Sequence, residues 1–261
     1  MKERYYQITS LEKGIKILEF LSEQGPLTVS EVGVLLSIHR SASHRFLATL
    51  RDLGYVEKND DNRYQLTTRI LRMGERVVRR FEIKKDARKY MQILSKVFNE
   101  TVNLGCLDDG EVLHLDKIDS PEILRIDSTL WSKAPAYCTG LGKAILSHLT
   151  EPELNDYLSR TKLIPHGPKT ILLKKKLREE LQKTFTRGYA IDDEELALGL
   201  RCVGAPVFDH TGRVKYALSI SCPIMRLPLE KIEKVQLKLT EVCRQLSANL
   251  GYHNIVERQS H

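Results

Sequence analysis

The sequence lacks any long apolar run. Over its 261 residues, no segment approaches the roughly 20 consecutive apolar residues that a helix needs to cross a bilayer. The first residues, Met-Lys-Glu-Arg-Tyr-Tyr, also lack the apolar core of a secretory signal peptide. These two absences predict a cytoplasmic protein that does not interact with a membrane.

Cysteines at metal-binding spacings are missing as well. The chain has five cysteines, an odd number that argues against a disulfide framework. None belongs to a Cys-x-x-Cys pair, and no histidine lies at a ligand-like spacing from them. We therefore expect reduced thiols, as is usual in the cytoplasm, and no metal site.

A complete nucleotide-binding loop is also absent. Residues 139–144, TGLGKA, lack the first glycine of the phosphate-binding loop and the Ser or Thr that would follow Lys143. The alternative of a thiol enzyme requires Cys202 or Cys138 beside a group that lowers the pKa of the thiol. The sequence places no histidine beside either cysteine, so we expect neither an enzyme nor a bound cofactor.

Positive charge is concentrated at the front of the chain. The net charge is +7, and residues 1–85 hold 16 Lys or Arg against 11 Asp or Glu. The remaining 176 residues hold 25 and 23, which is nearly neutral. A basic segment ahead of a near-neutral body indicates an anionic partner for the front segment, with nucleic acid as the first candidate.

Four elements follow one another in the first 66 residues. A helical pattern ends at Gly25-Pro26, and a short second helix begins at Thr28, which has the capping-box spacing to Glu31. A third helix ends at Gly54, and residues 55–66 have the pattern of a β-hairpin with a polar tip. This order predicts a winged helix-turn-helix domain over residues 1–66.

The third helix of this domain has two distinct faces. At 100° per residue, Ala42, Phe46, Leu50 and Leu53 lie within about 80° of one another and are expected to pack on the preceding helices. The opposite face is basic and is expected to enter the major groove, where arginine can bind guanine in a bidentate manner. The predicted DNA-binding residues are Arg40, Ser41, Ser43, His44, Arg45 and Thr49 on the helix and Arg63 in the hairpin.

Simple solvation is the alternative explanation for each of these charges. DNA contact is favoured over solvation for Arg40 and Arg45, because the exposed face has no acidic residue before Asp52. For the hairpin cations Lys58 and Arg63, solvation and phosphate contact both stay open.

A basic amphipathic helix follows at 67–81, with Ile70, Met73, Val77 and Phe81 roughly aligned. We predict a connector over residues 67–85, although the helix can also belong to the front domain. Residues 86–261 then show strands, helices, strands and a final helix near 228–250, which predicts an α+β domain on an antiparallel sheet. Three strand-like runs are expected at its start, TVNLGCL, EVLHLDKI and EILRIDS.

The basic run LLKKKLREE, residues 172–180, is interpreted as a solvated helix face with local ion pairs. A second DNA site is the alternative. The acidic residues that follow the lysines favour the first interpretation.

Several longer motifs carry a family resemblance. The front domain contains SLEKGIKILEFL, SHRFLATLRDLGYVEK and RYQLT, and the rear domain contains APAYCTGLGKAIL, RGYAIDDEELALGLRCVGAPVFD and ALSISCP. With these motifs the chain resembles the IclR family of bacterial transcriptional regulators over nearly its whole length. The resemblance implies a DNA-binding winged helix, a connector helix and a GAF-like effector domain. It also implies a homodimer or dimer of dimers on pseudo-palindromic double-stranded DNA, with a small carboxylate metabolite as effector.

The resemblance also implies an effector site. Family members that bind small acids use polar residues at positions matching Asp192, Cys202, Ser219 and Ser221. Ser219 and Ser221 share one strand face, and the free N–H groups of a helix beginning at Gly140-Leu141 suit a carboxylate. Ile126 and Ala134 are expected on the opposite wall. The alternative is structural, with Cys202 and Ser219 in the core and Asp192 capping a turn.

These observations together predict a ligand-responsive, DNA-binding repressor of genes for the catabolism of a small organic or sugar-derived acid. The alternative from another class is a sensory or scaffolding module whose winged helix binds protein. The identity of the effector and the operator sequence stay open.

Overall fold

The computed structural model describes residues 8–78, 83–127 and 129–252, with the backbone alone described for 75–78. The chain divides into two compact units, Met1–Phe81 and Glu82–His261. The predicted connector spans this boundary, and its separate role stays a prediction. Two of the residues aligned in that helix are not fully described: Phe81 lies outside the described residues, and only the backbone of Val77 is described.

The front unit confirms the winged helix-turn-helix. Three helices precede a two-stranded antiparallel hairpin, and a fourth helix follows it. Thr28 and Glu31 form the capping box that starts the second helix, and Gly54 follows the third with φ of 76°. The elements are α1 Thr9–Gln24, α2 Val29–Leu36, α3 Arg40–Asp52, β1 Val56–Lys58, β2 Tyr64–Leu66 and α4 Thr68–Val78.

The buried stripe of α3 differs from the predicted one. Ser43, Leu47 and Leu50 are buried, whereas Leu53 follows the helix and is 52% exposed. A serine fits inside because α2 approaches closely at Gly33, where an added Cβ would lie 3.1 Å from Ser43 Oγ. The Ser43 hydroxyl donates to His39 O, so its burial leaves no unpaired donor.

The rear unit is the expected α+β domain. Its six strands form one antiparallel sheet in the order β5-β4-β3-β8-β7-β6, with every neighbouring pair antiparallel. A single 3-10 turn, Ala136–Cys138, precedes α6. The elements are α5 Ile83–Phe98, β3 Thr101–Asp108, β4 Glu111–Ile118, β5 Lys133–Pro135, α6 Gly140–Leu146, α7 Glu151–Arg160, α8 Lys174–Arg187, β6 Ala190–Asp193, β7 Leu200–Phe208, β8 Val214–Pro223 and α9 Leu229–Asn249.

One predicted strand is wrong. The run EILRIDS forms no strand in its described residues, 122–127, and the short β5 takes the sheet edge beside β4. Ile123 is fully exposed and Leu124 is largely exposed, so these apolar side chains have no core face to cover. Without that burial, the apolar content of the segment does not stabilise a strand.

The period-two alternation of β8 separates the two faces of the sheet. Ser219 and Ser221 face a cavity beside the first turn of α6. Ile220, between them, faces Phe98 of α5 and Val235 of α9. The polar face of this strand is therefore directed at an internal cavity and its apolar face at packed helices. Within the described ranges, no helix is long and apolar enough to cross a membrane.

Candidate functional site

The outward face of α3 is basic and free of ion pairs. Arg40, Ser41, His44 and Arg45 are all exposed. Neither arginine has an acidic partner among the described residues, whereas Arg51, at the far end of the helix, pairs with Asp52. The first turn has no acidic side chain. This face therefore offers unpaired cations at the end of the helix that leads into a major groove.

Three predicted DNA contacts require comment. Ser43 is buried against α2, so its inclusion in the contact set is corrected. Arg63 donates to both carboxylate oxygens of Glu31 at 2.8 Å and to Pro26 O at 2.9 Å. Its guanidinium joins the hairpin to the start of α2, and this pairing makes Arg63 a weaker candidate for phosphate contact than the sequence predicts. Thr49 is exposed, and its hydroxyl donates to Arg45 O.

The rear unit contains a cavity of about 290 Å³ between the sheet and α6. It brings together all six residues predicted for the effector site, and the two predicted wall residues also line it. The six effector residues come from four elements, and Gly140 and Ser221 are separated by 81 positions in the sequence. These lining residues are Gly140, Leu141, Asp192, Cys202, Ser219 and Ser221, with Ile126 and Ala134.

Strand register explains why the polar residues meet. Asp192 on β6 pairs with Cys202 on β7, and Cys202 pairs with Ser221 on β8. Two residues before Ser221 on the same face of β8, Ser219 pairs with Asn103 on β3. Neighbouring residues in register point to the same face, so these side chains form a polar patch across four strands.

Asp192 is the charged group of this patch. Its side chain is fully buried, and its Oδ1 accepts the N–H groups of Glu195 and Leu196. The Cys202 thiol faces the same carboxyl group. No N–H or O–H among the described residues reaches Oδ2. Burial raises the pKa of Asp192 to about 6, although the two N–H groups and Lys143 oppose the shift. The turn-capping role therefore occupies one oxygen and leaves the other at the cavity wall.

The cysteines do not have the environment of catalytic thiols. Burial raises the pKa of Cys138 to about 12 and that of Cys202 well above its ordinary value, with Asp192 adding to both shifts. A nucleophilic thiol needs the opposite shift. Both thiols are therefore neutral at pH 7 and unsuited to nucleophilic catalysis. Nor does any cluster of His, Cys, Asp and Glu in the described ranges fit a metal ion.

Two glycines let α6 reach the sheet. A Cβ added to Gly204 on β7 would lie 2.3 Å from Gly140 O, and one added to Gly140 would lie 3.2 Å from Gly204 N. Contacts this short exclude a side chain at Gly204 without movement of the backbone. The Thr139 hydroxyl accepts the Gly142 N–H and caps the helix. The first turn of α6 consequently forms part of the cavity wall.

Sequence reasoning missed several lining residues. Asn103 donates from Nδ2 to Ser221 Oγ at 3.2 Å and is almost completely buried. A polar residue within the apolar run TVNLGCL was the available signal for it. His114 and Thr139 also line the cavity, and no sequence signal distinguished them.

Comparison with known proteins agrees with both units. The family model described as "Bacterial transcriptional regulator IclR C-terminal" matches residues 75–248, and the IclR helix-turn-helix domain matches residues 10–60. The HTH-type transcriptional regulator KdgR of Escherichia coli is 32% identical over 95% of this chain and 94% of its own length. The chain belongs to the IclR family. It is a DNA-binding transcriptional regulator, as the motifs implied.

Structural relatives of this IclR-family regulator have the same architecture. The crystal structure of Thermotoga maritima IclR superposes with a TM-score of 0.77 at 34% identity, covering 94% of this chain and all of that one. A second relative is an IclR homologue from Microbacterium hydrocarbonoxydans, solved in complex with 4-hydroxybenzoate. It gives a TM-score of 0.79 at 21% identity, over 92% of this chain and 98% of that one, which shows a shared fold.

The regulator is not an enzyme. Eight curated relatives between 27% and 32% identical are all named as regulators or repressors of transcription, two of them as repressors. The thiol-enzyme alternative has no support from these names. The protein-binding winged helix loses its support too, because the front unit matches a family of DNA-binding domains.

Proposed function

We propose that this IclR-family regulator is a cytoplasmic, ligand-responsive repressor. It binds an operator as a homodimer or dimer of dimers and releases it when a small carboxylate metabolite enters the cavity. The genes it controls serve the catabolism of that organic or sugar-derived acid. The observation that carries the proposal is the convergence of all six predicted effector residues on one cavity in the unit that follows the DNA-binding domain.

The DNA contact rests on the exposed face of α3. Arg40 and Arg45 can bind guanine O6 and N7 or a phosphate, and Ser41 reaches either class of acceptor. Ala48, on the same face, is small enough to let the helix approach the bases. Lys58 on β1 is exposed and has no acidic partner among the described residues, so it replaces Arg63 as the hairpin contact to phosphate.

The dimer follows from the operator geometry that this motif uses. A single α3 contacts only a few base pairs, whereas two copies related by twofold symmetry read a pseudo-palindrome with half-sites about 34 Å apart. Each phosphate contact adds about 0.9 to the slope of log affinity against log salt concentration. Two copies therefore make binding steeply dependent on salt.

The effector contact rests on the polar patch and on α6. Ser219 and Ser221 offer hydroxyl donors to a carboxylate, and the N–H groups of Gly140 and Leu141 lie at the first turn of the helix. Ile126 and Ala134 limit the size of the ligand from the opposite side. The neighbouring Asp192 tolerates an anion because its raised pKa permits protonation near neutral pH. The 4-hydroxybenzoate complex of the homologue is an example of a small carboxylate bound by a protein of this fold.

The test combines an operator with an effector. Genomic fragments that bind the purified chain at low salt supply the operator, and a thermal-shift screen of small carboxylates supplies the effector, because ligand binding to the native state raises its stability. The double variant Ser219→Ala with Ser221→Ala should bind the operator normally and no longer respond to the effector. The matched control, Ser95→Ala with Ser159→Ala, changes two serines outside the cavity and should respond fully. A cavity variant that still releases DNA would contradict the proposal.

A further inference from the structure

Two polar atoms at the cavity wall have no hydrogen-bond partner among the described residues. They are Asp192 Oδ2 and His114 Nδ1, and both are buried. A buried polar atom without a partner costs free energy, and such atoms are rare in folded proteins unless a ligand or water satisfies them. The Asp192 atom belongs to the predicted effector site, whereas His114 does not.

His114 lies at the far end of the polar patch. It is on β4, where it pairs with Gly105 of β3, and β3 in turn pairs with β8. Strands are about 4.8 Å apart, so the backbone of His114 is roughly 10 Å across the sheet from that of Ser219. Since the carboxylate of the effector is assigned to the serines, His114 contacts a different part of the same ligand.

The backbone of His114 is held in place. Its N–H donates to Ser132 O at 3.1 Å, and its carbonyl accepts the Trp131 N–H at 2.8 Å. Its strand partner Gly105 lets Leu141 of α6 approach the sheet next to β4, since an added Cβ there would lie 2.9 Å from the Val112 side chain and 3.0 Å from that of Leu141. The backbone that carries the imidazole is therefore held in place in the cavity wall that β4 and the first turn of α6 form.

The chemistry of the ring selects its partner. Burial lowers the pKa of His114, and Lys117 lowers it further, so the imidazole is neutral at pH 7. In a neutral imidazole one nitrogen donates and the other accepts, and the tautomer follows the partner. A hydroxyl group satisfies Nδ1 in either tautomer. A carboxylate or carbonyl oxygen satisfies Nδ1 only in the tautomer that carries the proton there, and a methyl group would leave Nδ1 unpaired.

We propose that His114 is a specificity-determining residue that hydrogen-bonds a hydroxyl group of the effector, so that the effector is a hydroxylated carboxylic acid with the hydroxyl distant from the carboxylate. This inference rests on the proposed effector role of the cavity. A site built to hydrogen-bond a hydroxyl discriminates strongly against the analogue that lacks it.

Matched acids test the proposal. Calorimetric titrations of the full chain use 4-hydroxybenzoate and benzoate, 5-hydroxypentanoate and pentanoate, and D-gluconate and hexanoate. The hydroxylated member of a bound pair should bind at least about tenfold more tightly to the wild type. In His114→Phe the two members should differ by less than about twofold, mainly because the hydroxylated acid binds more weakly. In His114→Asn, whose amide lies near the position of Nδ1, part of the preference should return.

A second histidine provides the control. His148 is half-buried outside the cavity, where its ring lies among Phe185 and Phe208, and His148→Phe should keep the full preference. Operator affinity without effector checks that each variant folds, and His114→Leu, which also lacks a hydrogen-bonding group, replaces His114→Phe if the latter does not fold.

The outcomes separate the two proposals. If acids bind without preference for the hydroxylated member, or if His114→Phe keeps the preference, the role of His114 is overturned and the carboxylate site stands. If no acid of any pair binds, the effector role of the cavity is overturned, and the inference with it.

Discussion

Lys143 and Glu195 form an ion pair that has almost no contact with solvent. The Lys143 ammonium group donates to the Glu195 carboxylate and to Ile191 O, and the Lys143 side chain is 0% exposed. Lys143 lies in α6, whose first turn lines the cavity, and Glu195 follows the strand that carries Asp192. The Glu195 N–H also donates to Asp192 Oδ1 at 2.9 Å. The pair therefore joins two walls of the cavity and helps to position Asp192.

Lys143→Met should reduce the free energy of unfolding by about 3–5 kcal/mol, because it leaves the carboxylate of Glu195 buried without its cation. Urea unfolding of the full chain measures the change. Lys238→Met removes one partner of a partly exposed i,i+3 pair with Glu241 in the same unit, and it should cost less than about 1 kcal/mol. If both variants lose the same free energy of unfolding, the buried ion pair of Lys143 contributes no more to stability than the pair of Lys238.

The fold could be predicted from the sequence because its signals are local. Capping at Thr28 and Glu31, the glycine after α3 and the alternation of β8 each depend on neighbouring residues. The segment 122–127 was mispredicted for the same reason, since its apolar content is visible in the sequence and the lack of a core face beside it is not. Hydrophobic periodicity also left Ser43 out of the predicted buried stripe of α3. The space for its side chain is made by Gly33 on α2, and the pattern of a single helix does not show such a contact.

The candidate site could be predicted only in part. Family motifs identified Asp192 and the β8 serines, and the structure brings them together. Lys143 appeared in the sequence as one lysine in GLGKAIL, and its partner Glu195 is 52 positions away. A contact at that separation leaves no periodic signal in a single sequence. His114 was missed because its unpaired Nδ1 is a property of the folded cavity.

Ser41 and Ser43 provide a matched test of the α3 surface. Ser41→Ala should weaken operator binding by about three- to tenfold, because it removes one hydrogen bond to DNA. Ser43→Ala should change operator affinity by less than about twofold, since this side chain faces α2. Ser43→Val should instead lower stability by about 1–3 kcal/mol through overpacking. Gel-shift titrations and urea unfolding measure these effects, and a larger effect of Ser43→Ala on DNA binding would reverse our assignment of the two faces.

Arg45→Ala should weaken operator binding by about tenfold or more, because the variant loses a charged contact in each half-site. If the contact is to phosphate, the slope of log affinity against log salt should also fall by about 0.9 for each lost contact. Lys175→Ala makes the same charge change in the solvated face of α8 and should leave both quantities unchanged. Fluorescence anisotropy at several salt concentrations measures them. Equal effects of Lys175→Ala would mean that net charge, and not the α3 surface, determines affinity.

Effector affinity should rise as the pH falls from about 7.5 to 5.5. Burial raises the pKa of Asp192 to about 6, and a bound carboxylate favours the protonated form of Asp192, so binding takes up a proton. The same raised pKa means that Asp192 destabilises the fold increasingly as the pH rises from about 4 through 6. Asp192→Asn should flatten the pH dependence of binding when it is measured by calorimetry.

Other titratable groups lie around Asp192 and the cavity, among them Asp127 and Cys202 in the cavity lining. Lys143 on α6 faces Asp192 and pairs with Glu195, and His114 on β4 is neutral because burial lowers its pKa. Burial raises the pKa of Glu195 against the effect of Lys143, so Glu195→Gln serves as the control that should retain most of the pH dependence. If Glu195→Gln flattens the curve and Asp192→Asn does not, Glu195 is the group that takes up the proton.

Trp131 should report effector binding through its fluorescence, because it is the one tryptophan in the sequence. Its neighbour Ser132 and the nearby Thr129 line the cavity, and its N–H donates to His114 O. The residue has a φ of 65°, an unusual conformation for a bulky side chain that the surrounding contacts must maintain. Lys84 Nζ lies 4.9 Å from the ring centroid. A ligand that contacts Thr129 or Ser132 should therefore shift the ring relative to this cation and change the emission.

A titration followed by emission should give the dissociation constant that calorimetry gives. Trp131→Phe should bind the effector with nearly unchanged affinity and lose the tryptophan signal, since the ring is partly exposed and does not itself line the cavity. Lys84→Met should change the emission of the free protein, because it removes the cation over the ring. A wild-type emission that stays constant while calorimetry shows saturation would mean that the segment before β5 does not respond to the ligand.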